Sequence, residues 1–191
     1  MIDFDHLVLW LSPRIVLGSI WPDLSRYANN GRIYGAELRE GMIWFNQAHI
    51  NCGSHNSLNL TGALTIAVHI LPLPGAGQQG IIGTPVYTKG YGLYVRHEAN
   101  RDIGFHVVTP DNIRFWWIGG TLEYGESHRI IATWDTNEQK VYLDGMLISP
   151  NATGSTSEER EFQYLSIGYI PNLASPRYLS CLLYTSPSPR D

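Results

Sequence analysis

Residues 128–148, HRIIATWDTNEQKVYLDGMLI, decide the fold. Ile130, Ala132 and Trp134 alternate with Arg129, Ile131 and Thr133, which is the period of an extended strand whose successive side chains point to opposite faces. The polar run Asp135 to Glu138 turns the chain, after which Val141 and Leu143 alternate with Lys140, Tyr142 and Asp144. Asp144 and Gly145 predict a type I′ hairpin turn, because both central residues of that turn need positive φ. Met146 to Ser149 is therefore expected to return antiparallel to Lys140 to Leu143.

Outward from this hairpin, short apolar segments recur between turn residues. A first strand is expected over His6 to Leu11 (HLVLWL), followed by a turn-rich loop in which Asp23, Ser25 and Asn30 can bond their own backbone, then a short strand over Arg32 to Tyr34. Met42 to Asn46 and His49 to Gly53 read as two strands around a tight turn. Leu64, Ile66, Val68 and Ile70 alternate with Thr65, Ala67 and His69 until Pro72 stops the strand. Further strands are expected around Ile81 to Thr84, Tyr91 to His97, Ile103 to Val108, Ile113 to Trp117 and Tyr164 to Gly168. Asn151 to Glu161 reads as an exposed polar loop. No amphipathic run of helical period reaches the usual helix length, so the spacing predicts an all-β sandwich.

These residues resemble the laminin-G-like, concanavalin A-like jelly rolls. The opening Leu7 to Leu11, then Asp23, Ser25, Asn30, Gly31, Gly35 and Ala36, stand at matching places, as do Phe45 with Asn46, Asp144-Gly145 and Ile167-Gly168. Arg26 replaces a frequent glycine and His69 a common tryptophan. The resemblance implies an antiparallel two-sheet jelly-roll sandwich, all-β, over residues 1–180. It also implies an extracellular or virion-surface setting, although acidic residues stand where a signal peptide would carry its basic region. The tail Cys181 to Asp191 matches, codon for codon, the translation of a transposase sequencing adapter. That reading makes 181–191 non-native and leaves the domain without the family's closing strand, with unpaired backbone and lower stability expected along an edge.

The totals exclude several classes. At 191 residues, with 12% aromatic and only 16% charged residues, the chain suits a single β-rich domain. The net charge of -4 and the lack of a Lys/Arg cluster speak against nucleic acid as a partner. No apolar run approaches the about 20 residues of a membrane helix, so no membrane insertion is expected.

Catalysis finds little support in the residues. Retaining glucanases of this shape need two carboxylates on one strand about 5 Å apart, and neither Glu123 to Glu126 nor Glu158 to Glu161 has that pattern. The seven histidines include no zinc-binding spacing. The chain is thus expected to be no enzyme, with no required cofactor. The resemblance adds a structural calcium, for which Asp23 and Asn30 are the candidate ligands; the competing reading is that both side chains hold their turn. For ligand binding, Tyr94, Arg96, His106, Arg114 and Trp116 are expected on one open sheet face, where flat rings could meet sugar C–H faces; packing between strands is the competing use of such rings. The function read from these features is a non-catalytic module that binds carbohydrate or a glycosylated surface. The alternative is a structural or adhesion module with a protein partner, and a glycoside hydrolase is the remote third.

Overall fold

The computed structural model describes residues 4–85, 90–97, 101–109, 112–148, 150–156, 162–171 and 176–184. It forms two facing sheets. The larger, of ten strands, runs in spatial order β1 (Ile20–Trp21), β2 (Gly31–Tyr34), β5 (His49–Asn51), β15 (Ser166–Ile167), β7 (Gln78–Gly83), β8 (Tyr91–Arg96), β9 (Ile103–Thr109), β10 (Asn112–Ile118) and β14 (Pro150–Thr156). Its tenth strand, β16 (Pro176–Arg177), lies parallel to β7, and every other pair is antiparallel. The smaller sheet runs β13 (Met146–Ile148), β12 (Gln139–Leu143), β11 (His128–Trp134), β6 (Leu64–Pro72), β17 (Cys181–Tyr184), β4 (Met42–Phe45) and β3 (Glu37–Arg39). Among the described residues the helical segments are two 3-10 turns, Phe4–His6 and Asn56–Leu58, and no helix is long and apolar enough to cross a membrane.

The alternation read from the sequence places the core. Ile130, Ala132, Trp134, Val141 and Leu143 of the smaller sheet are buried against Tyr91, Leu93, Val95, Ile103, Phe105 and Val107 of the larger. Each of the valine, leucine, isoleucine and phenylalanine side chains among these stabilises the fold by about 1.5–3 kcal/mol when it leaves water. The deciding hairpin closes as the residues require: Asp144 has φ 51° and Gly145 φ 85°, and Leu143 pairs with Met146, Tyr142 with Leu147 and Val141 with Ile148. Asp144 also ties the turn to the neighbouring strand. Its carboxylate accepts from the Arg129 N–H at 2.7 Å and from His128 Nδ1 at 2.7 Å.

Four expectations differ from the structure. His6 to Leu11 is not a strand: only Leu11 makes a bridge, to Asp23, because this segment hydrogen-bonds to a loop rather than to a sheet edge. Met42–Phe45 and His49–Asn51 are both strands but form no hairpin. The turn at Gln47, with φ 52°, carries the chain from one sheet to the other. Part of the polar segment after Ser149 is the edge strand β14, paired with β10 from Ile113↔Thr156 to Ile118↔Pro150; residues 157–161 lie outside the described ones.

The fourth difference concerns the tail. The place of a closing strand is filled by β17, whose Cys181 pairs with Phe45 and Pro72 and whose Leu183 pairs with Ile43 and Ile70. The alternation explains why these residues can serve there. Cys181 and Leu183 are buried in the core, while Leu182 falls on the opposite face. The strand thus joins β4 and β6, so those two strands do not present the open edge expected for a domain ending at Ser180.

Candidate functional site

The loop carrying the candidate calcium ligands is tied by Asp23. Its Oδ1 accepts from the N–H groups of Trp10 (2.7 Å) and Ser25 (2.9 Å), and its Oδ2 from Ser25 Oγ (2.7 Å) and the Asn29 N–H (2.7 Å). Asn30 Oδ1 accepts from the Asp23 N–H at 2.9 Å. An ionised carboxylate offers about four lone-pair positions, and four donors take them here. Both side chains are thus engaged in holding their own turn, and the Asp23 carboxylate has no lone-pair position left over for an ion.

The expected ligand face divides. Tyr94 and His106 do stand together on the side of β8 and β9 away from the core, with rings 5.3 Å apart and 19° from parallel. Both are buried, at 0% and 1% exposure. Glycines make room for them: a Cβ on Gly92 would lie 2.8 Å from Tyr94 Oη and 2.7 Å from His106 Cε1. A Cβ on Gly80, the register partner of Tyr94, would lie 2.5 Å from Ile170 Cγ1, so the chain around Ile170 packs on this part of the sheet. Burial pushes the His106 pKa down to about 3 and keeps the ring neutral. Arg96 pairs with Asp102. Arg114 and Trp116 pair in register with Val107 and Phe105 on the neighbouring strand, and their side chains lie outside the described ones.

An accessible set of rings stands elsewhere, on the outer face near β2. Pairing sets Tyr34 directly opposite His49, while their neighbours Ile33 and Ile50 face inward. The Tyr34 and His49 rings stack at 4.8 Å and 12°. His49 lies 6.2 Å from both Tyr169 and Tyr178, and those two tyrosines stack on each other at 4.6 Å. Tyr34 is 42% and Tyr178 38% exposed.

The backbone brings the two distant tyrosines together. Gly168, at φ 82°, accepts from the Leu179 N–H at 2.7 Å, which holds residues 169 and 178 side by side. Only glycine fits this bend, since a Cβ would lie 2.3 Å from the Phe45 ring. The result is a row of four rings whose three phenol hydroxyls and one imidazole have no hydrogen-bond partner among the described residues. Burial lowers the His49 pKa, so its ring is neutral at pH 7 and can both donate and accept. The rims and outward sides of these stacked rings, with their free hydroxyls, can meet a ligand that has both C–H surfaces and hydroxyl groups. The alternation of His49 with Ile50 was the available signal for half of this row. Nothing local foretold that Tyr169 and Tyr178 would meet it.

Other titratable groups are committed to structure. Glu123 pairs with Arg101 at 2.8 Å and its N–H donates to His128 Nε2 at 3.0 Å. Burial pushes Asp144 upward, but the Arg129 N–H and His128 outweigh it, and the carboxyl sits below the usual range. Cys52 and Cys181 are both free and buried; burial raises both thiols, Cys52 to about 12, so neither is a ready nucleophile. Among the described residues no group of three or more His, Cys, Asp or Glu could hold a metal ion.

Comparison with known proteins agrees with the architecture. The chain is similar to a Trypanosoma rangeli sialidase solved in complex with sialic acid, at 16% identity and a TM-score of 0.66, over 92% of this chain and 29% of the sialidase. It is also similar to a botulinum neurotoxin type C structure described by its dependence on two ganglioside molecules for cell entry, at 12% identity and a TM-score of 0.68, over 95% of this chain and 47% of the other. The chain therefore spans less than half the length of either, and the likeness is one of fold. No curated protein matches it significantly. Residues 46–180 match the profile of one superfamily, and the two-sheet architecture agrees: the chain belongs to the concanavalin A-like lectin/glucanases superfamily.

Proposed function

We propose that the chain is a non-catalytic recognition module that binds carbohydrate, or a glycosylated surface, on the row Tyr34, His49, Tyr178 and Tyr169. The observation that carries this reading is the stacking of four rings on an outer sheet face, two of them more than a third exposed. Buried rings serve packing; a solvent-facing row with free hydroxyls offers a pyranose both an apolar bed and hydrogen-bond partners. The ligands named with the two similar structures, sialic acid and ganglioside, are of the same chemical kind. What supports the absence of catalysis is that Asp23, Asp102, Glu123 and Asp144 are each held by a hydrogen-bond donor or an ion-pair partner.

An adhesion role with a protein partner is favoured by a different feature. On the outer face of the smaller sheet, Leu147, Tyr142 and Ile131 stand directly opposite one another across three strands, with Leu147 57% and Ile131 40% exposed. A glycan array separates the two. Sugar hits that vanish with Tyr34→Ala and Tyr178→Ala support the ring row, whereas protein capture without a glycan hit supports the other face. Release of reducing sugar from a polysaccharide would overturn the non-catalytic reading.

A further inference from the structure

The ring row ends at a cation with no carboxylate partner among the described residues. Arg39, Arg96 and Arg101 each pair with an acidic side chain. Arg32 does not: it is exposed, makes no ion pair among the described residues, and its guanidinium stands 5.5 Å from the centre of the Tyr34 ring. The strand period explains its place, because Arg32 and Tyr34 flank the inward Ile33 and so share the outer face. Directly across the strand pair from Arg32 is Asn51. Its Oδ1 accepts from the Gly53 N–H at 2.7 Å, and its amide N–H groups have no partner among the described residues. A guanidinium and a carboxamide donor thus stand side by side at the end of the ring row. On a chain of net charge -4 this is a local feature and not part of a general basic field.

We infer that this end of the row is an anion subsite, and that the module takes acidic saccharides, with a carboxylate or sulfate on Arg32 and Asn51 and the rest of the sugar along the outward side of the ring row. The inference rests on the carbohydrate-binding reading. A guanidinium suits such a group because it presents several N–H donors in one plane, matched to the oxygens of a carboxylate or sulfate. Its stacking over Tyr34 orients that plane before the ligand arrives.

Calorimetric titration of the full chain with three probes tests it: an oligogalacturonate, a sulfated oligosaccharide and a neutral cello-oligosaccharide. Either acidic probe should bind roughly tenfold or more tightly than the neutral one, and more weakly as added salt screens the charge. Arg32→Gln should remove that preference, while Arg32→Lys keeps part of it. The two acidic probes show whether carboxylate or sulfate is the better fit. Equal binding of neutral and acidic probes, unaffected by Arg32→Gln, would overturn the inference while sparing the carbohydrate reading. Binding of none of the three would overturn both.

Discussion

Tyr34 and His49 face each other across the β2–β5 pair with ring centres 4.8 Å apart and planes 12° from parallel. The pair joins Arg32 on one side to Tyr178 and Tyr169 on the other. Three chain segments far apart in sequence therefore build one surface, and its integrity depends on the bends that deliver them. Conditions and substitutions that touch those bends should move stability and binding in ways that can be separated.

The buried histidines make the fold sensitive to mild acid. His106 titrates near 6.5 when unfolded but only at about 3 in the native state, because burial disfavours its charge. Between these values the unfolded chain holds a proton that the native chain refuses, so stability falls as pH drops through this window, by about 1 kcal/mol per pH unit. His97, lowered to about 4 by burial, acts in the same direction. Urea titrations from pH 7 to pH 4 should show this decline, and His106→Phe, which keeps a flat ring against Tyr94, should reduce its slope. An unchanged slope would mean that the ring is not shielded from water.

Asp23 should matter through hydrogen bonds and not through an ion. Asp23→Ala removes a carboxylate held by four donors and is expected to cost about 2–3 kcal/mol, read as a lowered denaturation midpoint. Chelator and added calcium should leave the melting temperature of the unaltered protein where it is. A fall in chelator that calcium reverses would restore the ion to this loop.

Gly168→Ala tests how the fold positions the site. The new methyl group would meet the Phe45 ring at 2.3 Å on a residue already at φ 82°. The expected loss is about 3 kcal/mol, and sugar affinity should fall with it because Tyr169 is displaced. Tyr169→Ala should lower affinity alone. Equal melting temperatures for Gly168→Ala and the unaltered chain would show that the bend is not constrained as described.

Ending the chain at Ser180 would remove β17 from between β4 and β6. Two strands would lose a ladder partner and the core would lose Cys181 and Leu183. Loss of cooperative unfolding, or aggregation through the opened edges, is expected in circular dichroism and light scattering. Leu183→Asp should act in the same direction. A truncated chain that melts like the full one would show that β17 contributes nothing.

Most of the fold was legible because a half-buried strand writes its inward face into every second residue. The β11–β12–β13 hairpins follow directly from the alternation of Ile130 to Trp134 and the positive φ demanded at Asp144 and Gly145. Sheet membership was not legible: Phe45 and His49 read as neighbours in one hairpin, yet the turn between them changes sheets. The site was less legible still. Alternation correctly set Tyr94 and His106 together, but could not show that Gly80 and Gly92 would let the chain at Ile170 and the two rings close over that face. The register that sets Arg114 opposite Val107 and Trp116 opposite Phe105 depends on pairing between strands, which no single strand encodes.

The most direct test of the account is sugar affinity measured by calorimetry for the unaltered chain and the Tyr34→Ala/Tyr178→Ala double variant, with thermal melts on both. Both rings are exposed, so the melting temperature should hardly move, while affinity for a bound saccharide should fall roughly tenfold or more as two stacking faces are lost. Undiminished binding in a double variant that melts normally would contradict the assignment of this surface as the sugar site.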